Sequence, residues 1–221
     1  MIELIVGDRM FSTWSLRPWL VLKKTGLEFS VTEIPLYGPS SDAKLAVHSP
    51  SRRVPVLKAD GETIWDSLAI VLWIAEAAPE APVWPRDPVA RALCRSVVCE
   101  MHSGFMGMRN DLGMGPQFPM VGPSDGRRTE VTEAAAADVR RIVAMWREMR
   151  GRFGAGGPYL FGEWSVADAF FTPVATRFRR HGVDLADYGD DETAVVYAQT
   201  LLAQPDFLEW EREAKPLDHS L

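Results

Sequence analysis

The chain is poor in the residues that build metal centres and disulfides. Of its 221 residues only two are cysteine and four are histidine. Cys94 and Cys99 stand five apart in a helical stretch, on different faces, which suits neither a CxxC redox pair nor a zinc site. His48, His102, His181 and His219 show no metal-ligand spacing. No metal is expected, and the cysteines read as buried free thiols of a reducing, cytoplasmic compartment. Acidic residues outnumber basic ones, for a net charge of −6. That excludes nucleic acid as the main partner, because neutralising phosphates needs a basic face. No apolar run is long enough to cross a bilayer, so no membrane role is expected. The start, Met1-Ile2-Glu3-Leu4-Ile5-Val6, lacks the basic region and cleavage site of a signal peptide.

What is present is enough apolar material, 47% of the chain, for a sizeable core. The chain divides near residue 80. Before it, apolar runs at 2–6 and 29–36 read as strands, with short strands at 56–59 and 63–65 joined through Asp60-Gly61. Helices are expected at 15–25, 42–47 and 67–76. Pro18 then falls in a first turn, and Gly26 ends the first helix. Residues 79–88 carry Pro79, Pro82, Pro85 and Pro88 and read as a linker. Everything after reads helical: 89–109, 129–150, 167–180, 192–203 and 205–215. The Gly- and Pro-rich stretch 112–127 is a loop between the first two of these. The expected domains are therefore 1–78, α/β, and 89–221, all-helical.

Two short motifs carry chemistry. In Val54-Pro55-Val56-Leu57 a Pro opens an apolar strand. Pro cannot donate to a sheet ladder, so it sits at an edge, a bulge or across a cis bond. In Trp65-Asp66-Ser67-Leu68-Ala69-Ile70 an acidic–hydroxyl pair opens a helix, beside unpaired N–H groups and the positive end of its dipole. A third motif, Gly162-Glu163-Trp164-Ser165-Val166-Ala167-Asp168, reads as a helix capping box with Asp in place of Glu.

The order β–α–β, then VPVL, a hairpin and WDSLAI resembles the glutathione transferase superfamily, and the capping box resembles that of its helical domain. The resemblance covers nearly the whole chain. It implies a thioredoxin-like N-terminal domain followed by an all-helical C-terminal domain, a homodimer, and glutathione as co-substrate. By that likeness Val54, before a cis Pro55, offers its backbone to glutathione. Asp66 and Ser67 hold the γ-glutamyl end, and Arg53, with Arg52 beside it, meets a carboxylate. The segment Ser12-Thr13-Trp14-Ser15-Leu16-Arg17 is similar to the zeta-class pattern serine-serine-cysteine-serine-tryptophan-arginine, with Thr13 for the second serine and Trp14 for the cysteine. The activator of the glutathione thiol is then Ser12, with Thr13 or Ser15 as alternatives and Ser15 also read as the helix cap.

A second substrate, a small electrophile, is expected against the first long helix of the C-terminal half. Met101, Phe105, Met108 and Arg109 recur there at helical spacing, within a cluster of methionines that suits an adaptable pocket. Arg180, twelve residues after Asp168, matches the zeta-class position of an Arg that grips a substrate carboxylate. Yet Arg177, Arg179, Arg180 and His181 also read as an ordinary solvated basic run at a helix C-terminus, and His102 as a polar-face residue. The primary expectation is a transferase that conjugates glutathione to an electrophile. The alternatives are a glutathione-dependent cis–trans isomerase of a maleyl-type diacid, and a non-catalytic glutathione-binding module.

Overall fold

A computed structural model describes residues 1–217, so His219 lies outside the described residues. The first half runs β1 (Ile2–Gly7), α1 (Thr13–Thr25), β2 (Phe29–Ile34), α2 (Ser41–His48), β3 (Val56–Ala59), β4 (Glu62–Ile64) and α3 (Ser67–Ala77). The four strands form one sheet in the order β2-β1-β3-β4, with β1 parallel to β2 and antiparallel to β3. Successive residues of a strand point to opposite faces, and here both faces are covered. Leu4, Val6 and Leu57 pack into the large core with α1 and α3, while Ile5, Val56 and Ile34 pack beneath Leu45 of α2. That is why Leu4-Ile5-Val6 is an unbroken apolar run, fully buried.

Among the described residues the second half has no strand beyond isolated bridges, and its elements are two short 3-10 turns and the helices α4 (Pro88–Ser103), α5 (Met106–Asp111), α6 (Glu133–Phe153), α7 (Val166–Arg180), α8 (Thr193–Ala203) and α9 (Pro205–Glu213). This is a thioredoxin-like domain followed by a helical domain, as expected. α7 is its axis, with nearly every residue buried. The Asp168 carboxylate reaches back to the Ser165 N–H at 2.7 Å and also accepts from the Leu160 N–H, the Ser165 hydroxyl and the Tyr197 hydroxyl. Burial still pushes its pKa up to about 6.

Several boundaries differ from expectation by a few residues, and three of the differences have a clear physical cause. α1 begins at Thr13 rather than Ser15, because Ser12 is the residue whose side chain caps it. Pro18 therefore lies inside the helix, where it removes one backbone hydrogen bond. The single helix expected over 89–109 is broken at Gly104 and Phe105, the latter left-handed at φ 61°. A Cβ at Gly104 would lie 2.7 Å from the Glu100 carbonyl oxygen, and one at Gly107 would lie 2.6 Å from the backbone of α6. The two glycines let the chain turn and seat α5 against α6. α6 begins at Glu133 rather than 129, because the Thr129 N–H is committed to the His181 carbonyl and Thr132 supplies the cap.

The halves meet along α1 and α7. The Arg177 guanidinium donates to Thr13 Oγ1, the Trp210 indole to the Arg9 carbonyl, and Lys23 pairs with Glu209.

Candidate active site

Two neighbouring cavities open where the halves meet, and Trp14, Arg53 and Val54 line both. The first, of about 470 Å³, is lined by Trp14, Ser51, Arg53, Val54, Pro55, Trp65, Asp66, Ser67 and His102. It gathers Arg53, Val54, Pro55, Asp66 and Ser67 of the residues expected to hold glutathione, whereas Arg52 lines the second cavity and pairs with Asp42. The Val54–Pro55 bond is cis. Asp66 caps α3, accepting from the Leu68 N–H at 2.9 Å, and its other oxygen is 3.0 Å from His102 Nε2. Ser67 is buried and its hydroxyl has no partner in the free protein. An unpaired buried hydroxyl costs free energy, so one facing a cavity at a helix N-terminus is suited to an incoming carboxylate. His102, from α4, packs edge-on against Trp14 at 5.4 Å. Burial lowers its pKa, with Arg17 and Arg109 adding to the shift and Asp66 opposing it.

The second cavity, of about 420 Å³, is lined by Phe11, Ser12, Thr13, Trp14, Leu36, Tyr37, Leu45, Arg52, Arg53, Val54, Arg109, Gly113, Met114 and Arg177. Its hydroxyls are not equivalent. Ser12 caps α1 and donates to Ser15 Oγ at 2.7 Å, which commits its hydrogen to the protein. Ser15 is fully buried, accepts from the Gly7 N–H, and lines neither cavity. Thr13 Oγ1 accepts from Arg177 Nη2 at 3.3 Å, which leaves its own O–H to donate.

The cationic groups also sort differently from the sequence reading. Met101, Phe105 and Met108 are core residues and line neither cavity; of that helical stripe only Arg109 reaches the site. The break at Gly104 turns the chain, and Arg109 is held by the Gly104 and Met101 carbonyls. Arg180 is turned away. Its Nε and Nη2 donate to the carbonyls of Pro119 and Val121, which fixes the loop after α5. The basic run at the end of α7 is bonded rather than free in solvent: Arg179 donates to the Met120 carbonyl and Glu211, and the His181 ring bonds Gly113 and Thr129. Arg177, one helical turn before Arg180, is the member that faces the cavity. It is buried, its Nε has no partner, and its pKa is pushed down to about 9 by burial, with Arg109 adding repulsion. Trp14, read from the sequence only as a departure from the zeta-class pattern, and Arg177, read only as part of a solvated basic run, both line cavities. α7 is buried nearly all round although its sequence is amphipathic, so no local signal marked Arg177 as an interior group.

Among the described residues no group of three or more His, Cys, Asp or Glu is placed to hold a metal ion, and no helix is long and apolar enough to cross a membrane.

Residues 11–77 match the family model described as the N-terminal domain of glutathione S-transferase. Probable maleylacetoacetate isomerase 1 of Drosophila melanogaster is 32% identical over 178 residues, covering 80% of this chain and 68% of that protein. The probable maleylacetoacetate isomerase of Caenorhabditis elegans is 25% identical over 212 residues, covering 90% of each. A solved glutathione transferase homolog from Burkholderia, with bound glutathione, has a TM-score of 0.71 at 24% identity, covering 96% of this chain and 99% of that one. With the fold, the cis-proline cavity and these likenesses in agreement, the chain belongs to the glutathione transferase superfamily.

Proposed function

We propose that the protein is a glutathione-dependent cis–trans isomerase of a small unsaturated diacid of the maleyl type. The observation that carries this reading is the pair Arg109 and Arg177, which line the second cavity with their guanidiniums bonded to carbonyls and a hydroxyl rather than to a carboxylate, Asp138 acting on Arg109 only through space. Conjugation to a neutral electrophile gives these charges nothing to bind. A diacid gives each a carboxylate, and guanidinium pairs with carboxylate through two parallel hydrogen bonds. The relatives named as maleylacetoacetate isomerases support the same substrate class.

Glutathione occupies the first cavity in this reading. Val54 offers its backbone, Asp66 takes the ammonium, and Ser67 with the α3 N-terminus takes the γ-glutamyl carboxylate. The Thr13 hydroxyl donates to the sulfur, its oxygen held by Arg177. A hydroxyl cannot remove the thiol proton, but a donor aimed at the anion favours the thiolate. The thiolate adds to the carbon–carbon double bond conjugated to a carbonyl, giving an enolate. Rotation about the new single bond, collapse of the enolate and expulsion of the thiolate then restore the double bond as trans. Glutathione is regenerated and nothing is oxidised.

The test is a steady-state assay with glutathione and a maleyl keto-diacid, set beside the dimethyl ester of the same compound and a nitroaryl halide. Turnover of the free diacid well above both is expected. Equal or greater activity on the neutral compounds would favour the conjugating transferase instead.

A further inference from the structure

Arg17 is the most anomalous group in the molecule. It lies in α1, is fully buried, and none of its three guanidinium nitrogens has a hydrogen-bond partner. Its neighbours are rings: the guanidinium carbon sits 4.0 Å from the Trp14 ring centre and 5.2 Å from that of Phe170. Arg109 approaches the same indole at 4.8 Å. The charges that act on Arg17 are Arg109 and Arg177, which repel it, and Asp66, which attracts it. Asp66 is already shared with the Leu68 N–H and His102, and Asp138 acts on Arg109 rather than on Arg17.

We infer that Arg17 is a positioning residue whose counter-charge is the anionic ligand: a guanidinium held behind Trp14 without a protein partner, acting through that indole on the two cavities Trp14 lines. The inference rests on the reading that these cavities take glutathione and a diacid. Buried charges are normally paired, and an apolar residue of similar volume in place of an unpaired one normally stabilises the fold. An arginine kept here at the expense of stability needs another reason. Arg53, Arg109 and Arg177 line the two cavities, with Arg52 already paired to Asp42 and Arg17 beside Trp14, against Asp66, a positive surplus facing low-dielectric walls. Glutathione thiolate brings two carboxylates and a sulfur anion against one ammonium, and a diacid brings two more negative charges. The ligands complete the charge balance that the protein leaves open. A fixed charge behind Trp14 favours thiolate over thiol and anion over neutral compound.

The test compares wild type with Arg17→Met, Arg17→Gln and Arg17→Lys. Thermal melts are run at low salt without ligand and with maleate as a bare dianion, and the absorbance of the bound glutathione thiolate is titrated with pH. Arg17→Met and Arg17→Gln should raise the pKa of the bound thiol by about one unit, a tenfold loss of thiolate near neutral pH. Both should shrink the rise in Tm that maleate gives wild type, and Arg17→Met should melt no lower than wild type when free. Arg17→Lys, which keeps the charge, should restore most of the thiol shift. Neutral variants that titrate as wild type and keep the full maleate response would overturn the inference and make Arg17 a packing residue. If wild type binds no glutathione, the glutathione reading falls. The maleate response then decides the role of Arg17 by itself.

Discussion

Arg177 and Arg180 are three residues apart on α7 and bond different things, one facing the cavity and the other the loop carbonyls. Replacing Arg177 by Met should raise KM for the diacid about thirtyfold, the scale of 2 kcal/mol for a charge-assisted pair. Glutathione affinity should stay within a factor of about three; steady-state kinetics and calorimetry check both. The hydroxyls separate in the same way. Thr13→Val should raise the pKa of the bound thiol by about one unit, and Thr13→Ser should restore it. Ser12→Ala should instead lower stability by about 1 kcal/mol through loss of the α1 cap, with little change in the thiol. Thiolate absorbance against pH, beside a denaturant melt, reads the two effects independently. A thiol shift in Ser12→Ala but not in Thr13→Val would return the role to Ser12. The sequence reading put Ser12 first among these hydroxyls, because the bond each makes in the fold was not visible to it. Ser12 points at Ser15, and Thr13 is held by a residue 164 positions away.

At the scale of elements, the loop after α5 is held from the end of α7. The His181 ring bonds the Gly113 carbonyl at 2.9 Å and Thr129 Oγ1 at 2.8 Å, and stacks on Phe118 at 4.5 Å. Gly113 and Met114 line the second cavity, so this histidine ties the cavity rim to the helix that carries Arg177. Burial, with Arg177 and Arg180 adding to it, holds the His181 pKa below its ordinary value, while the bond to Gly113 and Asp125 oppose. The unfolded chain then takes up the proton first as pH falls. Stability from this residue is full above about pH 6.5 and is lost progressively below it, towards the folded pKa. Asp168, with its raised pKa, works in the opposite direction over this range, so the readout is a difference: in thermal melts from pH 7.5 to 5.5 the wild-type midpoint should fall relative to that of His181→Phe, which keeps the stack. An unchanged slope in the variant would clear His181 of the effect. Asp168→Asn, which disturbs four donors at one buried carboxylate, should destabilise the protein by about 3 kcal/mol, roughly 10 °C in Tm. The capping box was legible because Ser165 and Asp168 stand three apart before an apolar run. Tyr197 as a fourth donor was not, since it arrives from α8. The break between α4 and α5 was marked by Gly104 and Gly107, but methionine and phenylalanine at helical spacing masked it.

In the molecule as a whole, a net charge of −6 coexists with an interior of arginines turned towards one pair of cavities. The fold was legible because its signals are local: an apolar β1, a Pro at the head of β3, a cap at α3 and a run of helices. That Val54, Pro55, Asp66 and Ser67 line one cavity was legible for the same reason, since they come from one hairpin and its flanks. The second cavity was not, because Trp14, Arg109 and Arg177 are gathered from three helices in two halves. Arg180, expected to face a substrate, bonds the carbonyls of Pro119 and Val121, Arg177 one turn before it lines the cavity, and the Met101, Phe105 and Met108 stripe lies in the core. The composition of that second cavity is what separates isomerisation from conjugation. The direct test is a glutathione balance: incubate the protein with equal amounts of glutathione and a maleyl keto-diacid, and follow both by proton NMR. The account predicts conversion of the cis diacid to its trans isomer with the glutathione signals undiminished, and loss of that conversion in Arg177→Met. Consumption of glutathione into a stable thioether, one for each diacid lost, would contradict it.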